Sequence, residues 1–144
     1  MTVSAQNLSV SYGRSTIVHS LSFGPLEGGT IVGLIGPNAA GKSTLVKAIA
    51  GIKKPTAGSV TISKGGAELT GRDRVEAIGY VPQDLLSSAT LTAFESVMVS
   101  ARRRGVDGWD PLERTADVMH RLGITHLSDR LVSDMSGGQR QLVA

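Results

Sequence analysis

Gly36-Pro37-Asn38-Ala39-Ala40-Gly41-Lys42-Ser43 follows the spacing G-x-x-x-x-G-K-[ST], and no other stretch restricts the fold as much. Before it runs Thr30-Ile31-Val32-Gly33-Leu34-Ile35, a continuous apolar segment. Apolar residues without alternation predict a strand covered on both faces, as in the centre of a parallel sheet. After it, Lys42 to Ala50 places Leu45, Ala48 and Ile49 on one helical face, and Gly51 supplies a stop. Strand, glycine-rich turn and helix are the context in which this spacing binds phosphate. Phosphate oxygens need convergent N–H donors and no crowding by β-carbons, which Gly36 and Gly41 permit. The helix beginning at Lys42 adds unpaired N–H groups and its positive end. Lys42 can neutralise the β- and γ-phosphates, and the Ser43 hydroxyl suits Mg²⁺, a cation that prefers hard oxygen ligands. The alternative is an ordinary glycine-rich strand-to-helix turn.

The rest of the chain supplies the surroundings. Leu8, Val10 and Tyr12 alternate with Ser9 and Ser11, and Ile17, Leu21 and Phe23 again take every second position. Around Gly13-Arg14-Ser15 this predicts an antiparallel hairpin, with His19 half-buried on the Ile17–Phe23 face. A turn at Pro55-Thr56-Ala57-Gly58 leads to a short strand from Ser59 to Ile62, and Gly65-Gly66 marks a loop. Ile78-Gly79-Tyr80-Val81, ended by Pro82, is a second buried-strand candidate. Helices are expected over Leu91–Arg104 and Pro111–Leu122, the latter with Leu112, Ala116 and Met119 on one stripe. No repeat or low-complexity segment interrupts the 144 residues.

Composition removes several classes. Aromatic residues make up only 3%, so the core must be aliphatic, and 40% hydrophobic against 19% charged residues is a globular balance. With no cysteine, disulfides and thiolate metal sites are excluded. Net charge is +3 without a long basic block. Arg102-Arg103-Arg104 reads as a solvated helix end, with a polyanion site as its alternative. No aromatic residues flank it, so nucleic acid is not an expected partner. The uncharged run Gly28–Gly41 is shorter than the roughly 20 residues a bilayer needs, and the N-terminus has no signal-peptide pattern.

A second motif lies near the C-terminus: Met135-Ser136-Gly137-Gly138-Gln139-Arg140-Gln141. Ser136 is a good N-cap, and Gly137-Gly138 expose backbone N–H groups where a helix begins. Alone it reads equally as a helix cap or as a second anion site. Together the two motifs resemble the nucleotide-binding domain of ATP-binding cassette (ABC) proteins, and the resemblance covers nearly the whole chain in order. It identifies Gly36 to Ser43 with the Walker A loop and Ser136 to Gln139 with the signature motif. Tyr12 takes the place of the aromatic residue that stacks on adenine, and Gln83 that of the Q-loop glutamine. Each has a plainer reading, Tyr12 as a hairpin packing residue and Gln83 as a turn amide. Two residues depart from the family pattern. Met135 replaces the usual Leu, a volume-conserving change. Ala39 replaces the usual Gly and, at positive φ, would cost roughly 1 kcal/mol.

The resemblance implies an α/β fold, a P-loop NTPase core with an N-terminal antiparallel β subdomain and an α-helical subdomain. It divides the chain at about 1–86, 87–135 and 136–144. ATP and Mg²⁺ are the implied cofactors, bound by Tyr12, Gly36, Asn38, Ala39, Ala40, Gly41, Lys42, Ser43, Thr44, Ser136, Gly137, Gly138 and Gln139. Lys42 and Gln83 take the catalytic roles, and Ser43 and Gln83 hold the metal. Implied partners are a second nucleotide-binding subunit in a head-to-tail dimer and transmembrane permease subunits, at the inner face of the cell membrane. Thr92-Ala93-Phe94-Glu95-Ser96-Val97 and Ser128-Asp129-Arg130-Leu131 look similar to iron-chelate importer ATPases, implying import of a metal chelate. The family's Walker B strand, catalytic Glu and switch His do not occur in these residues. A truncated chain with an unpaired sheet edge, unable to hydrolyse ATP by itself, is the expectation. A soluble ABC ATPase without a membrane partner and an ATP-binding remnant without turnover are the alternatives.

Overall fold

In the computed structural model, which describes residues 1–82, 90–104 and 110–144, the expected hairpin forms from strands β1 (Thr2–Tyr12) and β2 (Ser15–Glu27). A two-residue turn joins them, with Gly13 at φ 58° and Tyr12 opposite Ser15. The ladder is irregular for a reason visible in the side chains. Asn7 and Ser20 adopt φ of 47° and 45°, which turns their N–H groups out of the regular pairing. Each is recovered by a serine hydroxyl of the opposite strand, Ser22 Oγ accepting from Asn7 at 2.9 Å and Ser9 Oγ from Ser20 at 3.0 Å. The irregularity between Ala5 and Leu8 also shifts the phase of β1. Ala5, Leu8 and Val10 therefore all face the core, although the first two are three residues apart.

Two further strands complete an antiparallel sheet of order β2-β1-β3-β4, with β3 at Ala57–Lys64 and β4 at Ala67–Glu68. Helix α1 (Lys42–Ile49) lays Leu45 and Ala48 against Leu8, Val10, Val18, Val60 and Ile62 to make the core of the first unit, Met1–Tyr80. Helix α2 (Gly71–Ala77) buries no residue fully and is tied to the sheet by Arg74, which donates to the Val60 carbonyl at 2.9 Å.

The second unit, Val81–Ala144, is helical. Helix α3 spans Ala93–Arg104, α4 Pro111–Arg121 and α5 Gly137–Val143, with single 3-10 turns at Thr125–Leu127 and Val132–Asp134. Ala93, Met119, Ile124, Leu127, Val132, Met135 and Val143 form its core. Met135 thus packs inside, as a Leu would. Asp110 caps α4 by accepting from Leu112 at 3.1 Å, and Pro111 takes the first helical position. No helix among the described residues is long and apolar enough to cross a membrane.

The structure corrects several expectations. Thr30 to Ile35 is not a buried central strand: it joins no sheet, and Ile35 is 95% exposed. Strand formation needs a neighbour to accept the backbone hydrogen bonds, and among the described residues no ladder is laid beside it. Ile78 to Val81 likewise belongs to no strand, with Ile78 packed on the first core and Val81 exposed. The α3 helix starts at Ala93 and not at Leu91, because Thr92 and Glu95 close a capping box: the Thr92 N–H donates to Glu95 Oε2 at 2.8 Å, and Thr92 Oγ1 accepts from the Glu95 N–H at 3.2 Å. On α4 the fully buried positions are Thr115 and Met119, while Leu112 and Ala116 face outward. Thr115 can be buried because its hydroxyl donates to the Pro111 carbonyl at 2.7 Å. His19 is exposed.

Gly58 enters β3 at φ 72°, and a β-carbon there would lie 2.3 Å from the carbonyl oxygens of both Gln6 and Asn7. Gly58→Ala must push β3 away from β1 as well as hold a left-handed backbone. A loss of about 2–4 kcal/mol is expected, read as a lowered urea midpoint. An unchanged midpoint would show that the two strands are not held this closely.

Candidate phosphate-binding site

The loop between Ile35 and α1 is shaped by two left-handed residues, Ala39 at φ 65° and Gly41 at φ 86°. The Ala40 N–H closes a turn on the Pro37 carbonyl at 3.3 Å, and the first helical bond runs from the Leu45 N–H to Gly41 at 2.9 Å. Gly41 is the N-cap residue, and no side chain caps the helix. The N–H groups of the first turn, at Lys42, Ser43 and Thr44, are therefore left for a ligand. Gly41 also needs to be glycine for space, since a β-carbon there would meet Ile17 Cγ2 at 3.0 Å and the Ile17 carbonyl at 3.1 Å. At Gly36 a β-carbon would meet only Ala40 Cβ at 3.7 Å and Lys42 Cδ at 4.0 Å, ordinary contacts. Packing does not demand glycine at that position. Its missing side chain keeps the mouth of the loop open between Ala40 and Lys42.

Lys42 bends back over this loop. Its ammonium donates to the Gly36 carbonyl at 2.7 Å and to the Pro37 carbonyl at 2.6 Å. The cation thus stands at the rim of a concave backbone, beside the uncapped end of α1, whose dipole has the same sign. Such an arrangement attracts an anion with several oxygens and offers it both donors and charge. Ser43 is exposed in the same turn. Among the described residues no group of three or more His, Cys, Asp or Glu gathers to hold a metal. A divalent cation would depend on the Ser43 hydroxyl and on the oxygens of the anion it accompanies, a donor set that suits Mg²⁺.

The structure brings Gly36, Asn38, Ala39, Ala40, Gly41, Lys42, Ser43 and Thr44 into one loop and first turn. Tyr12 ends β1 at the hairpin tip, and Ile17, which backs Gly41, lies on β2 near the same tip. Lys53, which the sequence did not single out, stands with its Nζ 4.4 Å from the centroid of the Tyr12 ring. Only a tertiary contact could reveal it. Gln83 lies outside the described residues. Ser136, Gly137, Gly138 and Gln139 open α5 in the second unit, where a capping box holds them: Ser136 Oγ accepts from the Gln139 N–H at 3.3 Å, and Gln139 Oε1 accepts from the Ser136 N–H at 3.1 Å. The box uses one lone pair of the Ser136 hydroxyl and leaves its proton to donate elsewhere.

A family model described as ABC transporter matches residues 18–144. The linearmycin resistance ATP-binding protein of Bacillus subtilis is 34% identical over 142 residues, 96% of this chain and 44% of its own length. The hemin import ATP-binding protein of Gloeobacter violaceus is 35% identical over 118 residues, 80% of this chain and 43% of its own length. This chain therefore spans less than half of either relative. A solved dimeric ATP-binding cassette, in a post-hydrolysis state bound to ADP and Pi, matches with a TM-score of 0.78 at 24% identity, over 98% of this chain and 66% of that one. The expected α/β cassette fold, antiparallel sheet and helices included, is the fold found.

Ala39 bears a side chain in a left-handed conformation that costs about 1–2 kcal/mol. Glycine would remove that cost but add about 0.4–1 kcal/mol of unfolded-chain entropy. Ala39→Gly is therefore expected to stabilise the protein slightly, raising Tm by about 2 °C. A lowered Tm would mean that the loop does not hold this conformation.

Proposed function

We propose that this chain, which belongs to the ABC transporter family, is the nucleotide-binding part of an ATP-binding subunit that couples ATP binding and hydrolysis to transmembrane transport. The observation that carries this reading is the loop from Gly36 to Ser43, where the Lys42 ammonium, two glycines and an uncapped helix end converge. In this reading Lys42 leaves the Gly36 and Pro37 carbonyls and pairs with the β- and γ-phosphate oxygens. The first-turn N–H groups of α1 bind the remaining oxygens, and Ser43 gives its hydroxyl oxygen to Mg²⁺. When bound, Mg²⁺ neutralises charge on the phosphates and polarises the γ-phosphoryl group. Tyr12 offers its ring to the base, and Gln83 takes the place of the glutamine that orients the metal and the attacking water.

The motif at Ser136 to Gln139 would serve the nucleotide of a second copy. The Ser136 hydroxyl proton and the Gly137 and Gly138 N–H groups are its donors. A head-to-tail pair with twofold symmetry uses one such surface twice and closes two sites at once. Transmembrane permease subunits complete the proposed assembly, which sits at the inner face of the membrane. Import of a metal chelate is the finer proposal, supported by the hemin import relative. The two importer-like stretches lie side by side: Ala93 donates to the Arg130 carbonyl at 3.0 Å, Phe94 to the Ser128 carbonyl at 3.1 Å, and Thr92 pairs with Leu131. The linearmycin resistance relative makes a part in resistance to a toxic compound the competing reading.

Titration with a fluorescent ATP analogue and Mg²⁺ tests the site. Removing a charge-assisted contact to phosphate in Lys42→Ala is expected to weaken binding by roughly 30- to 100-fold. Equal affinity in wild type and variant would sink the nucleotide reading. Affinity purification of the full subunit from membranes is expected to recover a permease, and its repeated absence would favour a cassette ATPase unconnected to a membrane.

A further inference from the structure

The contact between Lys53 and Tyr12 is the product of a pinned segment and not of a loose surface side chain. Past the end of α1, the N–H groups of Ile52 and Lys53 both return to the Lys47 carbonyl, at 2.9 and 3.1 Å. Three residues later, Thr56 bonds the Ser9 carbonyl twice, through its N–H at 2.8 Å and its hydroxyl at 3.0 Å. Lys53 is thereby anchored between α1 on one side and β1 on the other. From that anchor its ammonium reaches one face of the Tyr12 ring, 4.4 Å from the centroid. Tyr12 nevertheless remains 46% exposed. The ring is held from one side and accessible from elsewhere.

We propose that Lys53 is a positioning residue for a purine base: it fixes the Tyr12 ring so that the opposite face is presented for stacking. The proposal rests on the nucleotide-binding reading above. An exposed tyrosine at a strand end samples several rotamers, and a base that stacks on it must first select one. A cation over one face restricts that sampling before the ligand arrives, so less freedom is lost on binding. The same cation draws π density toward itself, which leaves the far face better suited to an electron-rich ring. Lys53 acts through Tyr12 and makes no contact with phosphate in this scheme. That separates it from Lys42, whose ammonium lies in the phosphate loop itself.

The test compares two ligands, ATP and inorganic tripolyphosphate, each with Mg²⁺, on wild type, Lys53→Met, Lys53→Arg and Tyr12→Ala. Lys53→Met keeps the side-chain stem and removes the charge. It is expected to weaken ATP about threefold and leave tripolyphosphate unchanged, while Lys53→Arg, an equal or better partner for an aromatic face, retains wild-type affinity. In a Tyr12→Ala background the Lys53→Met effect should vanish. Tighter ATP binding by Lys53→Met would overturn the proposal, because the lysine would then be competing with the base for one face. Equal weakening of both ligands would overturn it too, assigning Lys53 to phosphate electrostatics. So would unchanged ATP affinity, or additive effects with Tyr12→Ala. Wild-type protein that binds neither ligand would instead remove the nucleotide reading on which the proposal stands.

Discussion

Gly41 sits where strand β2 and helix α1 meet, at φ 86° and with the space for its absent β-carbon already occupied by Ile17. Much of the first unit follows from that close approach. It lets α1 begin directly against the sheet, so that Leu45 and Ala48 reach the row formed by Leu8, Val10 and Val18. It also sets the direction in which the uncapped N–H groups of the first turn point. Apolar packing on one side of α1 and anion attraction at its end are consequences of one placement. A larger residue at this position would disturb the core and the loop together.

The second unit shows local hydrogen bonding in command of a motif whose appearance is functional. Thr92 with Glu95 and Ser136 with Gln139 are both capping boxes, and each satisfies donors that a helix start would otherwise leave unpaired. For Ser136 the structural role and the proposed nucleotide role are compatible. The cap takes an acceptor position of the hydroxyl, whereas a phosphate oxygen needs its donor.

The run from Thr30 to Ile35 shows the limit of composition as a guide. Its residues are those of a buried strand, yet Ile31, Val32, Leu34 and Ile35 are all exposed in the structure. Apolar side chains state what would gain from burial, at about 25 cal/mol per Å². They do not supply the neighbouring backbone that a ladder requires. The antiparallel hairpin met no such difficulty, because its partner strand is only a two-residue turn away.

What the sequence by itself determined is whatever depends on residues close along the chain. The spacing of Gly36, Gly41, Lys42 and Ser43 marked the glycine turn into α1, period-two alternation located the β1–β2 hairpin though not its irregularities, and Pro111 marked the start of α4. Loop, turn and cap energetics act over a few residues, so the letters suffice. The tertiary structure decided the rest. It put Ile17 behind Gly41, shifted the phase of β1 through paired serine hydroxyls, and brought Lys53 onto Tyr12. It also withheld a sheet neighbour from Thr30–Ile35 among the described residues. Each of these depends on segments distant in sequence meeting in space, and no local pattern encodes which segments meet.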